Sequence, residues 1–434
     1  MRGHWYVDIT YTNTRRDVTG ITRTARRLVS ELQIATHRCT PVVFHSSGFR
    51  KIHNNLDALN TDAAQIKQSP FFSKSNAVIS GNFSRLLITV LLKISPWVAL
   101  RFFWKIISTA VFNLSSKGFQ KVDFSPGDVL FLADASWNYP SWKVARLARQ
   151  QGAKVVTLIY DLMPIRHPEY CFPLLPPQFQ SWLTEILTCS DAVICISRTT
   201  RDDLLSWLNE QPLGNRSPNL PIGYFHLGVD LENNLENDEV RPFIRNFFSS
   251  AEPCFASIGS FEAKRNYPFI LRVFEELWQK GTSIRLLLAG RATAEYAEFL
   301  TEIKGHTDYG NKLLVLQDAS DAEISYIYQQ CRCLIMASSF EGFGLPLIEA
   351  RSRGTIVIAN QIPSFQEISD PGVFFFDLKY PISLRKLILE HSRTDYRDQF
   401  EPLIPTTWRQ SAMSCQSTIK ALLWKSSAPS KDPN

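Results

Sequence analysis

Residues 338–350 read SSFEGFGLPLIEA: a serine pair, a glutamate, two glycines around a phenylalanine, a proline, and a second glutamate eight positions after the first. The run that leads into it, CLIMASS (333–339), is short and apolar, as a buried strand is. Pro346 suits the first turn of a helix, where its missing N–H leaves nothing unpaired, and Gly354 supplies a stop. The stretch therefore predicts a strand, a turn at Gly342 and Gly344, and a helix. Glycines in such a turn let the backbone approach a ligand closely, and free N–H groups at a helix start favour an anion. Glu349, in the opening turns, is placed to accept hydrogen bonds from a vicinal diol such as a ribose. Glu341, ahead of the glycines, faces whatever lies beyond the phosphates. Ribose, diphosphate and sugar is the order of parts in a sugar nucleotide. Singly, each glutamate reads equally well as a complement to a helix dipole, so the assignment depends on the rest of the chain.

Outward from this stretch the same alternation recurs. WYVDIT (5–10) leads through a polar loop to ITRTARRLVSEL (21–32), and GDVLFLAD (127–134) leads to WKVARLARQQG (142–152). KVVTLIYD (154–161), AVICIS (192–197), IRLLLAGR (284–291) and TIVIAN (355–360) also end at small or polar residues. Strands alternating with helices indicate α/β units with parallel sheets, which bind ligands beyond the carboxyl ends of their strands. The 434 residues exceed one hydrophobic core. The acidic, strand-free stretch DLENNLENDEV beginning at Asp230 separates the two sets of strands. The expected division is a first domain over 1–229, a linker over 230–252, a second domain over 253–405, a helix over 406–425 and a polar tail over 426–434.

Composition narrows the partners. Hydrophobic residues make up 44% and charged residues 20%, ordinary globular usage, and the net charge of +6 includes no run of five basic residues. A nucleic-acid footprint is excluded, and an anionic small molecule or a membrane surface fits better. The eight cysteines include no CxxC pair and no zinc spacing, so free thiols in a reducing compartment are expected. MRGHWYVDIT reads as a first strand, not a cleaved signal, which favours the cytoplasm. Residues 83–115 are densely apolar yet interrupted by Lys93, Pro96, Arg101 and Lys105. They read either as helices lying in a membrane interface or as core-packed helices.

The second set of strands begins CFASIGSFEAKRNYPFILRVFEEL (254–277), with Gly259 closing a strand and Lys264, Arg265 and Asn266 preceding a helix. Its apolar positions Phe269, Ile270, Val273, Phe274 and Leu277 are helically spaced. Two adjacent cations after a strand can stabilise the charge that develops on a leaving diphosphate. The succession IGSFEAKRN, LLLAGR, DASDAEISYIYQQC, SSFEGFGLPLIEA and IANQIPSFQEI closely resembles the donor-binding half of glycosyltransferase family 4, a retaining group with the GT-B architecture. In the first half DVTGITRTARRL resembles the glycine loop of a subgroup with a TGI-x-R signature, and TTWRQSAMS resembles the family's returning C-terminal helix.

The resemblance implies two Rossmann-like domains facing across a cleft. It implies transfer of a hexose from a nucleotide-diphosphate sugar, first GDP-mannose and alternatively a TDP- or UDP-sugar, to a growing, lipid-linked glycan of a bacterial surface polysaccharide. That acceptor would give residues 83–115 a reason to touch the cytoplasmic face of the inner membrane. Glu341 would attend the sugar and Glu349 the ribose, with backbone N–H groups of Gly342, Phe343, Gly344 and Leu345 on sugar and phosphates. Arg265 and Lys264 occupy the family's phosphate-binding slots in swapped order, next to Gly259. Thr19 and Gly20 would line the diphosphate from the other domain, and Asp161 would stand beside the acceptor, preceded by Tyr160 where many members have histidine. No Asp-x-Asp triplet occurs, so a metal-free reaction without cofactor is expected. The non-enzymatic alternative is a degenerate glycan-binding or scaffold member.

Overall fold

A computed structural model describes residues 3–14, 19–36, 38–52, 119–211, 220–230 and 240–427. Residues 83–115 lie outside them. The chain divides into two compact units, one of Met1–Ile196, Leu204–Phe225 and Trp408–Asn434, the other of Ser197–Asp203 and His226–Thr407.

The first unit is built on strands β1 (Trp5–Asp8), β2 (Cys39–His45), β3 (Gly48–Lys51), β4 (Val129–Leu132), β5 (Lys154–Ile159), β6 (Ala192–Cys195) and β7 (Ile222–Tyr224), in the order β3-β2-β1-β4-β5-β6-β7. All pairs are parallel except the edge hairpin β2–β3, which the sequence reading did not name. The strands are buried on both faces and so read as continuous apolar runs, as parallel strands do. One face is covered by the helices Ser141–Gln150 and Leu175–Cys189, whose Val144, Ala145, Ala148, Trp182, Leu183 and Ile186 join Leu130, Val155 and Val193 in one core. The helix Trp408–Ser427 also packs in this unit, against the helix Gly20–Thr36 and strands β6 and β7. It buries Cys415, Ile419 and Leu423, a stripe at helical spacing.

The second unit holds strands β8 (Cys254–Ile258), β9 (Arg285–Ala289), β10 (Leu313–Leu316), β11 (Cys333–Met336), β12 (Ile356–Asn360) and β13 (Val373–Phe376), all parallel, in the order β10-β9-β8-β11-β12-β13. Successive strand residues point to opposite faces, and two cores result. Phe255, Leu286, Leu288 and Ile335 face the helices Tyr267–Gln279 and Pro381–Arg393, while Ala256, Leu287, Leu334 and Met336 face the helices Pro242–Phe248, Asp321–Gln330 and Leu345–Arg351. The helix Pro242–Phe248 lies in the stretch read as a linker and buries Ile244 and Phe247. In the helix Tyr267–Gln279 the i, i+3, i+4, i+7 set Ile270, Val273, Phe274 and Leu277 is buried, each side chain contributing about 1.5–3 kcal/mol by leaving water. Arg351 is fully buried, pairs with Asp370 at 2.8 Å and donates to the carbonyls of Thr355 and Glu401, both at 2.9 Å. Among the described residues no helix is long and apolar enough to cross a membrane.

At the carboxyl ends of β1 and β4 two carboxylates, Asp8 and Asp134, are completely buried. Asp8 accepts hydrogen bonds from the hydroxyls of Thr10 and Tyr139, and Asp134 accepts from the N–H of Thr12 at 2.7 Å and that of Ala135 at 2.8 Å. Burial nevertheless dominates and pushes Asp8 up to about 6; burial and the neighbouring Asp8 push Asp134 up to about 7. The folded state therefore holds protons that the unfolded chain, with aspartates near 3.9, has released. Each raised carboxyl contributes stability that is fully present below about 3.9 and lost as pH rises through its folded value. The histidines His4, His45 and His391, which burial lowers, act in the opposite sense, so the comparison must be against a variant. Asp134→Asn should gain on the wild type by roughly 2 kcal/mol between pH 5 and pH 8, read by urea denaturation at both; a pH-independent difference would show that Asp134 does not titrate there.

Candidate functional site

In the second sheet the chain leaves β8 for β9 on one side, and β11 returns on the other, so β8 and β11 flank the point where strand order reverses. Ligands of open α/β sheets bind beyond the carboxyl ends of the strands at such a point. The loops leaving these two strands carry both stretches singled out in the sequence.

After β8, Gly259 has φ +151, and a Cβ there would lie 2.6 Å from the Arg265 guanidinium. A side chain at 259 and Arg265 in its present place are incompatible. Residues Ala263–Arg265 form one 3-10 turn, and the helix Tyr267–Gln279 follows. After β11 the loop runs through Glu341 to Gly344, which caps the helix Leu345–Arg351 with φ 114, and Pro346 falls in its first turn. A Cβ on Gly344 would meet the Phe365 ring at 2.9 Å. The helix has seven residues, so its dipole is short and the glycine turn carries the close approach.

Glu341 is held between the two cations. Its Oε2 lies 3.3 Å from Lys264 Nζ and its Oε1 3.2 Å from Arg265 Nη1, while Ser338 Oγ donates to Oε1 at 3.0 Å. The three charged side chains are 11%, 17% and 11% exposed for Lys264, Arg265 and Glu341. Burial alone would push the Glu341 carboxyl up; Arg265, Lys264 and the Ser338 hydroxyl outweigh it and hold the group below the usual carboxylate range. Burial lowers Arg265, and Glu341 together with Tyr267, Glu262 and Tyr328 outweighs it, so its pKa is raised. Glu341 and Arg265 thus each favour the charged form of the other. The more exposed Glu262 stands 4.0 Å from Lys264. Arg265 Nε is buried with no hydrogen-bond partner among the described residues. Two buried cations on a glycine turn fit an anionic diphosphate.

Glu349, on the helix after the loop, accepts from the Tyr328 hydroxyl at 3.1 Å. The Gly342 carbonyl accepts from Ser197 Oγ at 2.7 Å and Thr200 Oγ1 at 3.1 Å. Phe343 is buried, its ring 5.5 Å from that of His226. His226 in turn bonds Glu367 at 2.7 Å, and Glu367 also accepts from the N–H groups of Arg198 and Thr199, both at 2.7 Å. Although burial pushes Glu367 up, these donors hold it at about 2.

The structure thus brings Gly259, Lys264, Arg265, Glu341, Gly342, Phe343, Gly344 and Leu345 to one end of the second sheet, with Glu349 a turn further on. Thr19, Gly20 and Asp161 belong to the first unit. Thr19 opens the helix Gly20–Thr36, its carbonyl accepting from Arg23 N–H at 2.9 Å, and a Cβ at Gly20 would meet nothing within 4 Å. Asp161, just beyond β5, accepts from Met163 N–H at 3.0 Å, and Tyr160 is buried with its hydroxyl on the Ala133 carbonyl. Sequence reasoning gave no site role to Ser338, Asn266, His226 or Glu367. The partner of His226 lies 141 residues away, beyond the reach of any local motif. No group of three or more His, Cys, Asp or Glu placed for a metal ion occurs among the described residues.

Residues 242–396 match the family described as glycosyl transferases group 1. Among curated proteins, the serotype-specific mannosyltransferase WbdA of Escherichia coli is 29% identical over 303 residues, 68% of this chain and 37% of that protein. The O-antigen chain mannosyltransferase RfbU of Salmonella typhimurium is 29% identical over 125 residues, 29% of this chain and 34% of its own. The chain spans little more than a third of the WbdA length. Among solved structures, Anabaena HepE superposes with a TM-score of 0.57 at 11% identity, covering 98% of each chain, and sucrose-phosphate synthase of Thermosynechococcus elongatus with 0.56 at 14%, covering 98% and 96%. These likenesses show the fold, the GT-B architecture of two Rossmann-like units.

Because Arg265 occupies the space of a Gly259 side chain, Gly259→Ala should cost about 1–3 kcal/mol of stability and displace the guanidinium. Gly20→Ala should change stability by less than about 0.5 kcal/mol. Urea denaturation of both variants checks this, and equal effects would refute the steric account.

Proposed function

We propose, from the match of residues 242–396 to the group 1 glycosyl transferases, that the chain is a member of that family and a retaining mannosyltransferase of surface-polysaccharide synthesis. Its donor is a nucleotide-diphosphate mannose, first GDP-mannose, and its acceptor a growing, lipid-linked glycan. The observation that carries this reading is the Glu341 carboxylate held between Lys264 and Arg265 beside the glycine turn. The mannosyltransferase names of WbdA and RfbU support the sugar.

In this reading Lys264 and Arg265 take the diphosphate, and the charge that builds on it as the anomeric C–O bond breaks is met by cations already in place. Glu341 keeps both cations oriented and stabilises positive charge developing on the sugar ring. Glu349 binds the ribose hydroxyls, and the N–H groups of Gly342 to Leu345 contact sugar and phosphates. The acceptor hydroxyl approaches from the face the diphosphate leaves and gives its proton to the departing phosphate, so configuration is retained. Thr19 and Gly20 are proposed donor-side residues of the first unit, and Asp161 an acceptor-side one. The reaction is proposed to need no metal. The enzyme is proposed to work at the cytoplasmic face of the membrane, touching it through residues 83–115.

A thermal-shift screen against GDP, UDP, TDP, CDP and ADP tests the donor site, because a ligand bound only by the native state raises the melting temperature. One nucleotide should stabilise the wild type and fail to stabilise Glu349→Ala; no shift with any of the five would refute the reading. In kinetics, Glu341→Ala should lower kcat by roughly two orders of magnitude and Glu349→Ala should mainly raise donor KM, with wild-type turnover persisting in EDTA. Full activity in both variants, or complete loss on chelation, would sink the mechanism.

A further inference from the structure

Asn266, between Arg265 and the helix Tyr267–Gln279, has φ 54 and ψ 39, the only positive φ at a non-glycine among the described residues. Asparagine enters this left-handed region at lower cost than most side chains. The turn it makes ends the Ala263–Arg265 segment and aims its amide across to the loop after β11. There Nδ2 donates to the Ala337 carbonyl at 2.8 Å and to Ser339 Oγ at 2.8 Å, and back to the Lys264 carbonyl at 3.1 Å. The Ser339 N–H donates to the same Lys264 carbonyl at 2.7 Å. One amide group therefore ties the backbone that carries both cations to the backbone that carries Glu341.

A buried ion pair repays its desolvation only when its geometry is good, and a binding constellation must be held within about 0.5 Å by residues whose own positions are locked. Asparagine meets both demands at position 266. Glycine would supply the backbone conformation without the donor, and aspartate would set a carboxylate against the two carbonyls of Lys264 and Ala337. We infer that Asn266 is a positioning residue that fixes Lys264 and Arg265 against Glu341, so that the cations are set for a nucleoside diphosphate before it arrives. This rests on the donor-site reading above.

The test titrates GDP, UDP and TDP into the full chain by calorimetry and follows the tightest through Asn266→Gly, Asn266→Asp, Arg265→Ala and the double variant Asn266→Gly with Arg265→Ala. Asn266→Gly should move the ligand-free melting temperature by less than about 4 °C, yet weaken the nucleotide on the order of tenfold. In the Arg265→Ala background the same change should cost clearly less than in the wild type, because one of the two cations it positions is already removed. A merely structural asparagine would not show that coupling. Unchanged affinity in both Asn266 variants alongside loss in Arg265→Ala would overturn this inference alone, as would losses that multiply in the double variant. Wild-type affinity in Arg265→Ala, or no nucleotide binding to the wild type, would overturn the donor site with it. Should Asn266→Gly fail to fold, Asn266→Asp, which keeps the left-handed preference, carries the same comparison.

Discussion

A carboxylate almost removed from water, with a lysine on one oxygen and an arginine on the other, is the constraint from which the second unit can be understood. Removing three charges from water costs several kcal/mol each, and their attraction offsets that only if separation and orientation are right. The surrounding residues supply those conditions. Gly259 lacks the side chain that would displace the guanidinium, Ser338 donates to the same carboxylate, and Asn360 fixes the Ser338 carbonyl at 2.9 Å. Further out, the hydroxyls of Ser197 and Thr200 hold the Gly342 carbonyl, and the Phe343 ring rests by His226, so the glycine turn is confined on both sides. The flexibility implied by two glycines in three residues is not what they provide here. They allow one tightly specified path.

The two units handle buried acid in opposite ways. In the second, Glu341 and Glu367 are pulled below the usual range by cations and by N–H donors. In the first, Asp8 and Asp134 have only hydroxyls and backbone N–H groups, and burial wins. The difference lies in the balance at each site: two cations outweigh burial at Glu341 and several converging donors outweigh it at Glu367, whereas the donors on the completely buried Asp8 and Asp134 do not.

The strands named from the sequence were those whose apolar runs end in a polar or small residue, such as KVVTLIYD and TIVIAN, because burial on both faces leaves an unbroken signal. β3 escaped because GFRK is short and half polar, and β7 because three residues make no run. The match of the second half to the group 1 glycosyl transferases agrees with what the succession of motifs implied. Glu341, Lys264 and Arg265 were legible as residues but not as one cluster, since 77 positions separate Lys264 from Glu341 and only the adjacency of β8 and β11 joins them. Asn266 was named beside the two cations but given no role, because left-handed backbone leaves no trace in periodicity. His226 and Glu367 were invisible for the same reason of distance.

The helix Trp408–Ser427 belongs to the first unit although the ribosome makes it after the whole of the second. During synthesis the flank of β6 and β7 and the inner side of the helix Gly20–Thr36 therefore emerge long before the element that covers them. Until residues 408–427 are made, the surface at Gly223 that Thr418 and Leu422 cover has no helix over it. The second unit, contiguous apart from a short segment, can fold as it emerges. A chain cut before residue 408 would contain every described strand of both units and lack the helix that covers β6 and β7.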